Sequence, residues 1–305
     1  QTFLDGMRQT SEQRNRAMVE RVNAFLSPLE LNYEQDVMPL VPKGNATERH
    51  LCLAYARKAA SQYPEESDLR NFWSEKLGVA AEDLKDVPDG RGVTDLIRAK
   101  TMKQGGAGYV QPGSGSFPKM AKMNEFVLQC GALPTMTWLD GCSAGEEAIE
   151  ELLEVARSTG VVVFNIIPDR NYTPGTKDQK LTNLQKVVEI CKDLNMPLLG
   201  GTEMNSPGQK FVDDFDSDEL KPMHPYFLEG SRILHAHSTL QRLAGMGYLS
   251  PWSDDQFASV AAKNEFYARF GEIFSPRGDE ALQNDLSDSL GSREVISLAE
   301  RVMSA

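Results

Sequence analysis

Short apolar runs in this chain end, one after another, in side chains that can bind metals, move protons or hold charge. The run RILHAHS (232–238) closes on His235 and His237, and GGTEMN (200–205) carries Glu203 and Asn205. IIPDRN (166–171) carries Asp169, Arg170 and Asn171, WLDG (138–141) carries Asp140, and VPKGN (41–45) carries Lys43. Side chains two apart on an extended strand share a face. A strand ending in HAHS therefore presents two imidazoles to one divalent ion, and a carboxylate such as Glu203 at the same level completes a zinc, manganese or iron set. Around such an ion Asp140 or Asp169 has the chemistry of a general base. Lys43 and Arg170 would hold a substrate's negative charge, and Asn171 and Asn205 would supply amide hydrogen bonds.

These groups act together only on a scaffold that brings strand ends to one place. From residue 134 onward, apolar runs alternate with helical patterns: LPTMTWLDG leads into SAGEEAIEELLEVARSTG, and VVVFNIIPDRN into DQKLTNLQKVVEICKDLN. That alternation predicts βα units and parallel pairing. Strands are expected near 37–41, 108–111, 134–139, 161–166, 197–202 and 232–236. A glycine-rich GxGxxG turn is absent and nearly every run ends in a polar group. This favours a (β/α) TIM-like barrel, with six or seven strands, over an open dinucleotide-binding sheet. The expected organisation is one barrel domain over 1–305, with a helical insertion at 64–104 and a helical C-terminal extension at 252–305.

Composition narrows the partners. The net charge of −12 repels a phosphate backbone and argues against nucleic acid. No run approaches the length of a membrane span, so a soluble chain is expected. Its four cysteines lie far apart, which suggests free thiols in a reducing, cytoplasmic setting. GYVQPGSGSFPK (108–119) lacks the GxxxxGK[ST] nucleotide pattern and reads as a plain glycine- and serine-rich loop, with a small-anion cradle as the alternative.

GGTEMN followed by HAHS resembles the polymerase-and-histidinol-phosphatase superfamily of metal-dependent phosphoesterases, through Glu203, His235 and His237. The resemblance implies a seven-stranded (β/α) barrel whose strand ends hold two or three metal ions. It also implies a further HxH, which this chain of four histidines lacks; the expectation is either that it lies upstream of Gln1 or that the chain is a divergent relative with fewer metals. The function it implies is metal-dependent hydrolysis of a small anionic substrate. Two alternatives keep the barrel: a metal-assisted or Schiff-base lyase, aldolase or sugar isomerase using Lys43, and a non-catalytic binding protein with a degenerate pocket.

Overall fold

The computed structural model describes residues 2–113, 117–172, 177–202 and 211–304, apart from the side chains of Asp169 and Tyr172. The chain divides into two compact units, 1–118 and 119–305. About 64% of the described residues are helical.

In the first unit, α1 (Thr2–Leu26) buries Asn15, Met18, Val19, Val22 and Leu26, a three- and four-residue spacing that lays one stripe on the core. It packs with α2 (Glu48–Gln62), α3 (Glu66–Leu77) and α4 (Arg91–Ile97), and α4 runs on into a π-helical turn at Arg98–Met102. Each boundary has a local cause. The Thr47 backbone N–H donates to His50 Nδ1 at 3.1 Å in a capping box that starts α2, and Gly78 ends α3 in the left-handed conformation. The core gathers Met18, Val22, Leu51, Tyr55, Trp73, Ile97 and Met102, with the Tyr55 hydroxyl within hydrogen-bond distance of Asn23 Oδ1 (2.8 Å) and Val19 O (3.1 Å).

One carboxylate ties three elements of this unit together. Glu48 accepts from Arg98 Nε at 2.8 Å and Lys103 Nζ at 2.9 Å, and Arg14 Nη1 stands 3.6 Å away. Burial pushes its pKa up, but the bonds from Lys103 and Arg98 and their charges outweigh burial and hold it below the ordinary value.

The second unit is an α/β layer structure. Strands β1 (Thr135–Trp138), β2 (Val163–Ile166) and β3 (Leu198–Gly200) form one parallel sheet in the order β1-β2-β3, with Thr135 opposite Val163 and Phe164 opposite Leu198. Helix α5 (Met120–Gln129) precedes β1. The short α6 (Ala144–Glu147) and α7 (Ile149–Ser158) cross from β1 to β2, and α8 (Lys177–Asp193) crosses from β2 to β3. After the sheet come α9 (His224–Ala244), α10 (Pro251–Gln256), α11 (Val260–Ile273), α12 (Asp279–Asp285) and α13 (Ser292–Ser304).

Alternation along β2 divides the core. Phe164 and Ile166 join Trp138, Leu153, Leu184 and Val188, whereas Val163 joins Ile233, Leu240, Tyr267 and Phe270. Helix α9 spans both clusters, Phe227 lying in the first and Ile233, Ala236 and Leu240 in the second. It lies directly on the edge strand: a Cβ on Gly230 would come within 2.0 Å of the Leu198 carbonyl oxygen.

This architecture overturns the expected barrel. Three of the anticipated strands are real, and among the described residues they make a small open sheet that does not close on itself. The segment near 37–41 is instead wound into a π-helical turn (Tyr33–Val37) and a 3-10 turn (Met38–Leu40). The Asn32 side chain accepts from Gln35 N–H, and Asp36 accepts from Asn32 N–H; these local bonds compete with strand pairing. Residues 108–111 are irregular, and 232–236 lie inside the 21-residue α9. The helices of 64–104 belong to an all-helical first unit rather than to a loop of a barrel. No helix among the described residues is long and apolar enough to cross a membrane.

Candidate functional site

Parallel strands expose their carboxyl ends on one edge of a sheet, where the backbone turns into the crossover helices and ligands commonly bind. Here that edge is formed by the LDGCS loop after β1 and the 3-10 turn Pro168–Tyr172 after β2.

Asp140 sits two residues beyond β1. Its Oδ1 accepts the Cys142 backbone N–H at 3.1 Å, and its Oδ2 lies 2.8 Å from Lys180 Nζ. Burial pushes the Asp140 pKa up; the Lys180 and Cys142 hydrogen bonds and the Lys180 charge outweigh it and hold the carboxyl below its usual range. Asp140 is thus an anion throughout the neutral range. The loop is wired from behind by Glu146, whose two carboxylate oxygens accept the backbone N–H groups of Leu139 (2.8 Å) and Gly141 (3.2 Å). Gly141 has φ +72, and a Cβ there would meet Asn183 Nδ2 at 2.8 Å, so both conformation and space call for glycine. Asn183 Nδ2 in turn reaches the carbonyls of Asp140 (3.1 Å) and Gly141 (3.3 Å).

Asn171 joins the two loops. It is fully buried, and its Nδ2 donates to Ile167 O (3.2 Å) and Leu139 O (3.3 Å), while its Oδ1 has no hydrogen-bond partner among the described residues. Arg170 is exposed beside it, and its carbonyl lies 3.4 Å from Lys180 Nζ. Behind these groups Asn165, on β2, reaches Thr137 Oγ1 at 3.5 Å. The edge thus brings together Asp140, Arg170 and Asn171 from the sequence-derived set, and adds Lys180 and Asn183.

Lys180 and Asn183 are not at strand ends; they lie on α8. The signal for them is their place in the first turns of a crossover helix, which starts at the carboxyl edge of its sheet, three residues apart and so on one helix face.

The other expected members do not assemble there. Glu203 and Asn205 lie outside the described residues, as does the Asp169 side chain. Lys43 is exposed on a turn of the first unit, before α2. His235 and His237 are not at a strand end: they are in the middle of α9, where a two-residue step turns them about 200° apart. Each imidazole is also committed. His235 Nε2 donates to Phe274 O at 3.0 Å; His237 Nε2 donates to Gly131 O at 3.1 Å while its Nδ1 accepts the Tyr248 N–H at 3.0 Å. The expected two-histidine metal pair therefore does not fit, and among the described residues no group of three His, Cys, Asp or Glu side chains could hold a metal ion. Two of the four thiols, Cys52 and Cys191, are buried, and burial pushes them up to about 12.

What this edge offers is a largely buried ion pair of Asp and Lys, an exposed guanidinium and a fully buried amide, held by backbone hydrogen bonds rather than by solvent. No family model, no curated protein and no solved structure matches this chain.

Proposed function

We propose that the second unit binds a small anionic ester at the carboxyl edge of its sheet and hydrolyses it. The observation that carries this reading is the Asp140–Lys180 pair, 2.8 Å apart with 19% and 11% of the two side chains exposed. A pair placed there keeps a positive charge and an ionised carboxylate side by side in a site that excludes most water, which strengthens both. Lys180 and Arg170 attract and hold the anion. Asp140 keeps lone pairs beyond the two bonds it accepts, and with one of them it orients the attacking water. Asn171 holds the two strand-end loops at a fixed separation.

The test is turnover by the purified chain of p-nitrophenyl phosphate and of carboxylate-bearing p-nitrophenyl esters, each with EDTA and with added magnesium, manganese or zinc. Hydrolysis that falls at least about 100-fold in Asp140→Asn and Lys180→Met is expected. Absence of turnover of every ester in every metal condition sinks the hydrolase reading. The rival Schiff-base reading uses Lys43, which lies on a turn of the first unit and is not part of this edge. Mass spectrometry after borohydride treatment with a keto acid separates the two, since an adduct on Lys43 would replace hydrolysis by lyase chemistry.

A further inference from the structure

Helix α1 carries a second working face besides the one it buries. Leu4, Met7, Arg8, Ser11 and Arg14 recur along one side of it at three- and four-residue spacing and, together with Phe117, line a cavity of about 430 Å³ within the first unit. One part of this cavity is apolar and open to water: Leu4 and Met7 are each 36% exposed and Phe117 is 73% exposed. The other part is made of donors, two guanidinium groups, the Ser11 hydroxyl and the amide of Asn45, and among the described residues no carboxylate lines it. In a chain of net charge −12 that is an unusual lining, and it selects for negative charge.

The two arginines are set differently. Arg14 is anchored by its Nε bond to Val110 O at 3.1 Å and by Glu48 at 3.6 Å. Arg8 stands 3.6 Å from Asp5 with both side chains about half exposed, a pairing that water screens and an incoming anion displaces at little cost. The Thr10 hydroxyl already donates to Gly6 O at 3.0 Å, which leaves Ser11 as the hydroxyl available to a ligand. The geometry points to a binding site here for a small amphipathic anion, one phosphate or carboxylate carried on an aromatic or branched aliphatic body. The anionic group meets Arg8, Ser11 and Arg14, and the apolar body covers Leu4, Met7 and Phe117. The volume lies in the range of small-ligand pockets. The loop GYVQPGSGSFPK, whose composition suggested an anion cradle, supplies Phe117 to this cavity.

Isothermal titration of the full chain with benzyl phosphate tests it, with benzyl alcohol as the uncharged control and circular dichroism to verify the fold of each variant. Saturable binding of benzyl phosphate is expected, weakened about tenfold in Arg8→Gln and lost in Ser11→Leu, which fills the cavity, with benzyl alcohol binding far more weakly. No saturable binding, equal affinity in wild type and Arg8→Gln, or equal affinity for the alcohol overturns the proposal. Repeating the titration in Lys180→Met keeps the two sites apart: binding lost there and retained in Arg8→Gln puts the anion at the sheet edge and overturns the site on α1.

Discussion

The Nζ of Lys180, on the first turns of α8, lies 2.8 Å from the Oδ2 of Asp140, two residues past the end of β1, so this pair joins a crossover helix to the loop of a different strand. Removing one partner leaves the other's charge in a site that is mostly closed to water. Lys180→Met is therefore expected to lower the unfolding free energy by about 1–3 kcal/mol. The double variant Asp140→Leu/Lys180→Met should cost less than the sum of the single changes. Urea denaturation of the three variants measures this, and additive effects would mean that the pair is not coupled.

The same pair sets an acid limb. The folded pKa of Asp140 is depressed, so the stability it contributes is complete above the ordinary carboxylate value of about 4 and is lost as pH falls through the lower folded value. Asp140→Asn should therefore lose less stability than wild type between about pH 4 and pH 2, as read from the urea midpoint at each pH.

His237 acts in a different window. It is buried, Nε2 donating to Gly131 O and Nδ1 accepting from Tyr248 N–H, so the neutral ring is built in and a second proton has no acceptor. Burial lowers its pKa more than the Gly131 bond raises it. The unfolded chain then takes up the proton first. Stability is level above about pH 6.5 and declines as pH falls below that value toward the folded pKa. His237→Leu should flatten this decline while lowering stability at pH 8 by about 2–3 kcal/mol through the two stranded backbone groups. Thermal midpoints from pH 8 to pH 5 check both effects.

Glu48 gives a contrast between exposed and embedded ion pairs. It is 15% exposed among Arg14, Arg98 and Lys103, whereas Glu12 pairs with Arg16 on the surface of α1 at 47% exposure. Glu48→Gln is expected to destabilise the first unit by about 1–3 kcal/mol. Glu12→Gln should change stability by less than about 0.5 kcal/mol. Equal effects in denaturant titrations would remove Glu48 from its role as the tie between helices.

Gly230 tests the seating of α9 on the sheet. A methyl group there would fall 2.0 Å from the Leu198 carbonyl oxygen, and backbone on both sides leaves it nowhere to go. Gly230→Ala should cost about 3 kcal/mol or more despite its better helix propensity, as a lowered melting temperature or loss of soluble protein. A neutral or stabilising outcome would contradict the close packing of α9 on β3.

Local pattern was enough for part of this molecule. The βα units from LPTMTWLDG to MPLLGG were legible because a buried parallel strand must be a short apolar run and an amphipathic helix must repeat near 3.6 residues. So was the gathering of Asp140, Arg170 and Asn171 on one edge, since parallel strands place their ends together. HAHS was misread because its alternation fits a strand over four residues. The longer spacing of Phe227, Gly230, Ile233, His237 and Leu240, started by Pro225 and closed by the left-handed Gly245, is that of a helix. The partners of a side chain are a different matter. Whether a sheet closes depends on strands that must pair across long stretches of chain, and Lys180 meets Asp140 forty residues away only once α8 has packed on the sheet. The residue types and their strand and helix periods came from the sequence alone, and tertiary packing decided the open sheet, the commitment of both histidines to backbone partners on a helix, and the ion pair at the sheet's edge.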